Sequence, residues 1–189
     1  MVNEVIVKPL GDCKNLINEA AEVLNSQWKR SLRARVMSLE KSLNATTLPC
    51  SLIMITNSEN CPKVIGHVRL CSVVGISDSC LIESLVIHLS YRNKGFGKLL
   101  MQKAEDYAKY LCYKSIYLTT IDKNEFYTKL GYSFCQPIAS FGIHSNILKD
   151  LNFLHLNHDF TTKLDNNFLN KNSNIQKYNK PTYWMCKKV

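Results

Sequence analysis

The chain has 189 residues, 46% of them apolar and 21% charged, and carries a net charge of +9. That length and apolar content suffice for one buried core and leave little room for a second domain. No run of about 18 apolar residues offers a membrane span, and the N-terminus lacks an uninterrupted apolar signal-peptide core. The protein is therefore expected to be soluble and intracellular, with the cytoplasm as its expected place and a monomer as its expected state. A basic surface attracts nucleic acid, acidic membranes or an acidic peptide, but no stretch resembles a nucleic-acid-binding module. The eight cysteines include no Cys-x-x-Cys and several sit in apolar strand patterns, so they read as reduced thiols.

Residues 4–10 (EVIVKPL) predict a short first strand ended by Pro9. Asp12 or Asn15 is placed to cap the next helix, in which Leu16, Ala20, Val23 and Leu24 recur at helical spacing and which is expected to stop near Asn25. Residues 28–35 (WKRSLRAR) then hold four cations and one tryptophan, ahead of Val36, Leu39 and Leu43. Two readings stand for this segment: an amphipathic helix with a solvated charged face, or a basic surface for an acidic ligand. Residues 52–56 and 64–74 predict a hairpin about a turn at 57–62. A second turn at 75–79 leads to a central strand at 81–89, so these strands run antiparallel. His67 falls on a face of this sheet and reads as structural.

Farther on, Leu100, Ala104, Tyr107 and Leu111 form the apolar stripe of a helix packed on the sheet. Residues 115–120 (SIYLTT) predict a strand reached through that helix and hence parallel to the central one. A short helix is expected at 124–130, a strand at 132–135 and a last strand at 183–186. Residues 143–180, rich in asparagine and lysine, read as an insertion between the two terminal strands. His144, His155 and His158 lie within it and read as loop histidines, and no metal is expected.

The chain is organised around residues 80–101, CLIESLVIHLSYRNKGFGKLLM. A buried-strand pattern ends in a turn with two glycines and two cations and opens a helix. Amides at a helix start have no carbonyl partners within the helix and favour an anion. Gly95 and Gly97 let a backbone approach a bulky ligand, and Arg92, Lys94 and Lys98 add positive charge. The physical reading is a diphosphate cradle. It is not a Rossmann fingerprint, whose third glycine would replace Leu100, nor a Walker loop, which needs Gly-Lys-Ser/Thr.

Arg92-x-x-Gly95-x-Gly97 after a strand resembles the pyrophosphate loop of the GCN5-related acetyltransferases, whose ligand is acetyl-CoA. Residues 126–132 (FYTKLGY) are similar to that superfamily's F-Y-x-x-x-G-F/Y signature. Together with Asn25-x-x-Trp28-x-Arg30-Ser31, Arg35, Ser38-Leu39, Gly66-His67-x-Arg69-Leu70, Glu83, Leu118-Thr119-Thr120-x-Asp122 and Tyr183-Trp184-Met185, they resemble the actin N-terminal acetyltransferases over most of the chain, the insertion excepted. Two features depart from the pattern. Thr120 stands where many relatives have asparagine, and the insertion lacks a proline-rich character.

The resemblance implies an α/β fold in which a central, mixed, mostly antiparallel sheet is flanked by helices and splayed between strands 4 and 5. One domain would span residues 1–189. It implies acetyl-CoA as co-substrate and direct attack by the N-terminal amine of an acidic protein, processed actin. By the same resemblance Tyr127 is the acid for the leaving thiolate, and Glu83 either accepts the amine's proton through water or pairs with Arg69. Leu85, Val86 and Ile87 would bond pantetheine. Arg92, Asn93, Lys94, Gly95, Phe96, Gly97 and Lys98 would wrap the diphosphate, with Asn124 and Tyr127 completing the cofactor site. Trp28, Arg30, Ser31, Arg35, Thr120 and Asp122 would line the acceptor groove. Two alternatives keep parts of this pattern: an acetyltransferase for another peptide or small amine, and an acyl-CoA-binding protein without catalysis. The basic groove argues against polyamines.

Overall fold

The computed structural model describes residues 5–56, 62–138 and 182–189. The insertion expected at 143–180, its three histidines, Cys61 and most of the turn at 57–62 lie outside the described residues.

Seven strands form one sheet in the order β1-β2-β3-β4-β5-β7-β6. They are β1 (Val5–Pro9), β2 (Cys50–Thr56), β3 (Lys63–Ser72), β4 (Ser79–Ile87), β5 (Ser115–Thr120), β6 (Ser133–Phe134) and β7 (Tyr183–Lys188). β1 to β4 are antiparallel, β4 and β5 are parallel, and β7 lies antiparallel between β5 and β6. Among the described residues four α-helices cover the sheet: α1 (Ile17–Gln27), α2 (Leu32–Glu40), α3 (Phe96–Tyr110) and α4 (Asn124–Thr128). Among the described residues no helix is long and apolar enough to cross a membrane.

The two-residue period of the strands sorts the core into two layers. In β2, Leu52 and Met54 pack with Leu100, Met101 and Ala104 of α3, whereas Ile53 and Ile55 pack with Ala20, Val23 and Leu24 of α1 and Leu39 of α2. One extra residue interrupts this alternation in β4. Arg69 of β3 pairs with Glu83 and His67 with Val86, so Val68 alone faces both Ser84 and Leu85. Ser84 has φ +55°, and the bulge reverses the parity of the strand. Ile82 and Ile87 therefore both meet the α3 layer, while Val86 meets the α1–α2 layer. The same strand soon parts from its other neighbour. β4 and β5 pair from Ser79↔Ser115 to Ile82↔Leu118 and no further, although β4 continues to Ile87 and β5 to Thr120. The expected splay between strands 4 and 5 is present.

Three local expectations are corrected. Neither Asp12 nor Asn15 caps α1. Residues Leu10–Leu16 instead wind as a 3₁₀ segment broken at Cys13, and Leu16 precedes α1 without any side-chain cap. Leu10 is fully buried and Leu16 nearly so. A Cβ on Gly11 would lie 1.9 Å from the Leu43 carbonyl oxygen. Tertiary packing at these residues overrides the capping preference. Next, α1 runs on to Gln27, two residues past Asn25. Finally, the central strand stops at Ile87 rather than Leu89, because His88 accepts a hydrogen bond from Ser90 N at 3.4 Å and caps a 3₁₀ turn at Leu89–Tyr91. The seven described cysteines are free thiols.

Candidate active site

β4 and β5 run in parallel, so the segments that follow them emerge at the same end of the sheet, beyond the point where the strands part. Open α/β sheets place ligands at such a crevice. After β4 the chain forms residues 92–97, in which Asn93 has φ +61° and Gly95 has φ +81°. Gly95 caps α3 in the left-handed region, which costs a glycine little, and a Cβ there would meet nothing within 4 Å. Leu99 N donates to the Gly95 carbonyl at 3.1 Å. The amides of Phe96, Gly97 and Lys98 precede that bond and have no carbonyl within the helix to accept them. Asn93, Lys94 and Lys98 are exposed around them.

After β5 the chain turns into α4, where Asn124 is the first residue. A Cβ on Gly97 would lie 3.7 Å from the Phe126 ring, and that ring packs edge-on against Tyr127 at 5.0 Å. The glycine loop and the F-Y-x-x-x-G-Y segment are thus neighbours. Tyr127 is buried, and burial pushes its pKa up to about 12.

The opposite face of the same strands carries a half-buried carboxylate. Glu83 accepts from Cys71 Sγ at 3.3 Å through Oε2, while Oε1 is buried without a partner among the described residues. Burial, and then the Glu83 carboxylate, push the Cys71 thiol's pKa well up, so it remains a donor. Arg69 stands opposite Glu83 in register, but its guanidinium turns away to Ser38, donating to Oγ at 3.3 Å and to the carbonyl at 3.0 Å. The pairing of Glu83 with Arg69, one of the two expected roles, is not formed. His67 and Ser51 sit beside them, fully buried.

Other expected site residues are brought into new roles. Arg92 does not stand free as a loop cation. Its Nε donates to the Ile87 carbonyl at 2.9 Å and its other end to Gln27 Oε1 at 2.6 Å, tying the end of β4 to α1. Arg35 donates to Asn25 Oδ1 at 3.3 Å and to the Trp28 carbonyl at 2.6 Å, bracing the turn between α1 and α2. Burial and the charges of Arg30 and Arg69 lower its pKa. Ser31 caps α2 by accepting from Ala34 N at 3.3 Å. Thr120 is buried and accepts from Lys123 N at 3.0 Å, capping the turn before α4. Trp28 and Arg30 are exposed on the α1–α2 turn. Asp122 is exposed and accepts from Lys123 Nζ at 3.0 Å. A hollow of about 210 Å³ lined by Val7, Leu52, Tyr107 and Tyr110 lies between β1, β2 and α3, apart from both motifs.

His67 yields a prediction about pH. Burial and the Arg69 charge push its pKa down to about 3, so below about pH 6.5 the unfolded chain binds a proton that the folded chain refuses. Stability is full above that pH and is lost as pH falls toward 3, with this residue adding at most about 1.4 kcal/mol per pH unit. Denaturant unfolding between pH 7 and 4 is expected to show a shallower pH slope for His67→Gln than for the native chain.

The family model for the "Acetyltransferase (GNAT) family" matches residues 15–132, more than half of the 189 residues. N-alpha-acetyltransferase 80 of Mus musculus is 34% identical over 126 residues, which is 65% of this chain and 40% of that protein. The chain thus spans about two fifths of the length of this curated relative. A GNAT-family acetyltransferase of Staphylococcus aureus Mu50 superimposes with a TM-score of 0.59 at 16% identity, over 98% of this chain and 99% of that one. Aminoglycoside 6'-acetyltransferase type Ii gives 0.61 at 18% identity, over 97% and 96%. At such identities the two structures speak for the fold, and the matched span 15–132 holds both the glycine loop and the aromatic signature. The chain belongs to the GNAT acetyltransferase family.

Proposed function

We propose that this chain moves acetyl from acetyl-CoA to the N-terminal amine of a protein with an acidic N-terminus, processed actin being the acceptor that the sequence resemblance points to. One observation carries the reading. The helix start and glycine loop lie at the open end of the splayed strands, and an exposed basic turn, with Trp28, Lys29 and Arg30, leads into the helix that covers Glu83's face of the sheet. The likeness to a mouse protein named as an N-alpha-acetyltransferase supports the same class of acceptor.

When bound, acetyl-CoA supplies an acetyl group activated as a thioester. The amides at the start of α3, with Lys94 and Lys98, face the diphosphate, and Asn124 stands at the start of the neighbouring α4. Residues 85–87 of β4, past the last β5 pair, offer backbone groups to the amides of the pantetheine arm in the manner of an added strand. Glu83, with one buried oxygen unpaired among the described residues, takes the amine's proton through water, and Tyr127 gives its own to the leaving thiolate. A nitrogen–carbon bond forms as the carbon–sulfur bond breaks, and no cysteine need be acylated. Arg30 draws in the acidic residues of the acceptor beside the exposed ring of Trp28, while Arg35 and Ser31 hold the turn that presents them. In this reading residues 1–189 act as one domain, monomeric and cytoplasmic.

Incubation with acetyl-CoA and a panel of N-terminal peptides, with mass spectrometry to place the acetyl group, tests the reading directly. Acetylation at the α-amine of peptides beginning Asp-Asp or Glu-Glu is expected, and transfer to lysine side chains or to neutral peptides alone overturns it. Gly97→Glu sets a like charge against the diphosphate, which costs several kcal/mol, so acetyl-CoA affinity is expected to fall roughly 100-fold or more by calorimetry. Its melting temperature should stay near that of the native chain, since the nearest atom to a Cβ there is an aromatic carbon at 3.7 Å.

Tyr127→Phe is expected to lower kcat by roughly 10- to 10⁴-fold with a much smaller change in KM. Because the native hydroxyl keeps its proton up to about pH 12, the native rate should show no loss from tyrosine ionisation below about pH 11. Arg30→Glu is expected to raise KM for an Asp-Asp peptide about 5- to 150-fold, the worth of one charge-assisted bond of roughly 1 to 3 kcal/mol. The native preference for acidic peptides should weaken as salt is added.

A further inference from the structure

His67 sits at the one place where β3 and β4 fall out of step, beside the bulge at Ser84 and Leu85. Its side chain is fully buried and both ring nitrogens are engaged: Nδ1 lies 3.2 Å from the Ser84 carbonyl oxygen and Nε2 lies 3.1 Å from Ser51 Oγ. Counting hydrogens fixes their roles. A carbonyl oxygen only accepts, so Nδ1 carries the hydrogen. A neutral ring then accepts at Nε2, and the Ser51 hydroxyl donates. Ser51 Oγ in turn accepts from Arg69 Nε at 3.5 Å and lies 2.7 Å from Ser42 Oγ. Arg69 ends on Ser38 in α2. One continuous chain of hydrogen bonds therefore runs from α2, through Ser51 and His67, to a single carbonyl of β4.

That carbonyl belongs to a residue in a costly conformation. Ser84 is not glycine, yet its φ is +55°, and an L-residue in the left-handed region is strained by about 1 kcal/mol or more. The bulge it forms sets where residues 85–87 point, because one extra residue reverses the parity of the strand. These residues lie past the last β5 pair, at the open side of the sheet.

We propose that His67 is a positioning residue for acetyl transfer: by donating to the Ser84 carbonyl it locks the β4 bulge, and so fixes how the backbone of residues 85–87 meets the thioester arm, in register with α2. The inference rests on the assignment of the splay as the acetyl-CoA site. It makes Ser51 the donor that completes the tautomer imposed by the Ser84 carbonyl, and Ser38 and Arg69 the anchor to the helix beside the acceptor.

Two substitutions separate this role from mere filling of the core. The side-chain amide nitrogen of Asn falls near the Nδ1 position, and that of Gln near Nε2. His67→Asn therefore keeps the donor to Ser84, and His67→Gln keeps only the Ser51 contact. The first readout needs no acceptor. Acetyl-CoA labelled with ¹³C at its carbonyl is bound to each protein, and isotope-edited infrared difference spectra give the thioester carbonyl frequency. The native protein and His67→Asn are expected to share a frequency displaced from that of free acetyl-CoA, and His67→Gln to move back toward the free value. The second readout is kinetic. His67→Gln should lose roughly 10- to 100-fold in kcat, as when a supporting hydrogen bond to a site group is removed, at an acetyl-CoA KM within about 3-fold of native. His67→Asn should keep most of the native rate. Ser51→Ala, a smaller change that tolerates folding better, should shift the carbonyl in the same direction as His67→Gln. Equal frequencies in every protein, or equal losses of frequency shift and rate in the Asn and Gln variants, overturn the proposal. A native chain that binds no acetyl-CoA refutes the splay assignment and this inference together. Binding with a carbonyl indifferent to His67 and Ser51 refutes this inference alone.

Discussion

The arrangement depends on a ladder that stops early. β4 and β5 share four paired positions and then part after Ile82 and Leu118, so that among the described residues the rest of β4 pairs with β3 alone and has no strand on its β5 side. Buried unpaired amides and carbonyls are costly, so a chain keeps such an edge where something else pairs with it or water reaches it. A ligand whose linker contains amides answers that need as a strand would. The parallel pairing adds a second consequence, because it sends the segments after both strands to the same end. The start of α3 and the whole of α4 meet there, as the approach of Gly97 to Phe126 shows.

The bulge in β4 keeps both layers of the core intact across this opening. Without its extra residue Val86 would face α3 and Ile87 would face α1, and each layer would lose a buried side chain. With it, the strand turns over between Glu83 and Val86, and Glu83 stays on the face covered by α2. The strain at Ser84 is carried by a polar network with few loose ends, in which Ser38, Ser42, Ser51, His67 and Arg69 bond one another or nearby carbonyls. Satisfied buried networks of this kind specify one geometry. The unpartnered Oε1 of Glu83 beside it is then the exception, and a group awaiting a proton is a physical reason for one.

What the sequence disclosed follows from how local each feature is. The glycine loop was legible because a strand pattern, two glycines and three cations stand in a row, and each has a local reason to be there. The parallel placement of β5 followed from the helix between it and β4. The bulge was hidden because β4 packs on both faces, and a continuous apolar run carries no alternation to be broken; the polar pair Glu83-Ser84 within that run was its only trace. Charge was a poor guide to exposure. Arg35 and Arg92 read as ligand-facing cations, yet each spends its guanidinium on carbonyls and side-chain amides of its own fold. Contacts across long separations had no signal at all: the ion pair of Glu105 with Lys187 at 2.7 Å spans α3 and β7, where the last strand was expected to end at Cys186. His67 was legible only as a residue on a sheet face, because its meaning comes from Ser51 and Ser84, on the two strands that flank it.

The claim that the parted strands and the glycine loop receive acetyl-CoA is tested most directly by amide hydrogen exchange, resolved by residue, with and without the ligand. Protection is expected at residues 85–87 and 95–98 on adding acetyl-CoA, with β1 and the outer surface of α3 unchanged. Exchange at those amides that is indifferent to acetyl-CoA, or protection confined to the hollow beside Tyr107 and Tyr110, would contradict the account.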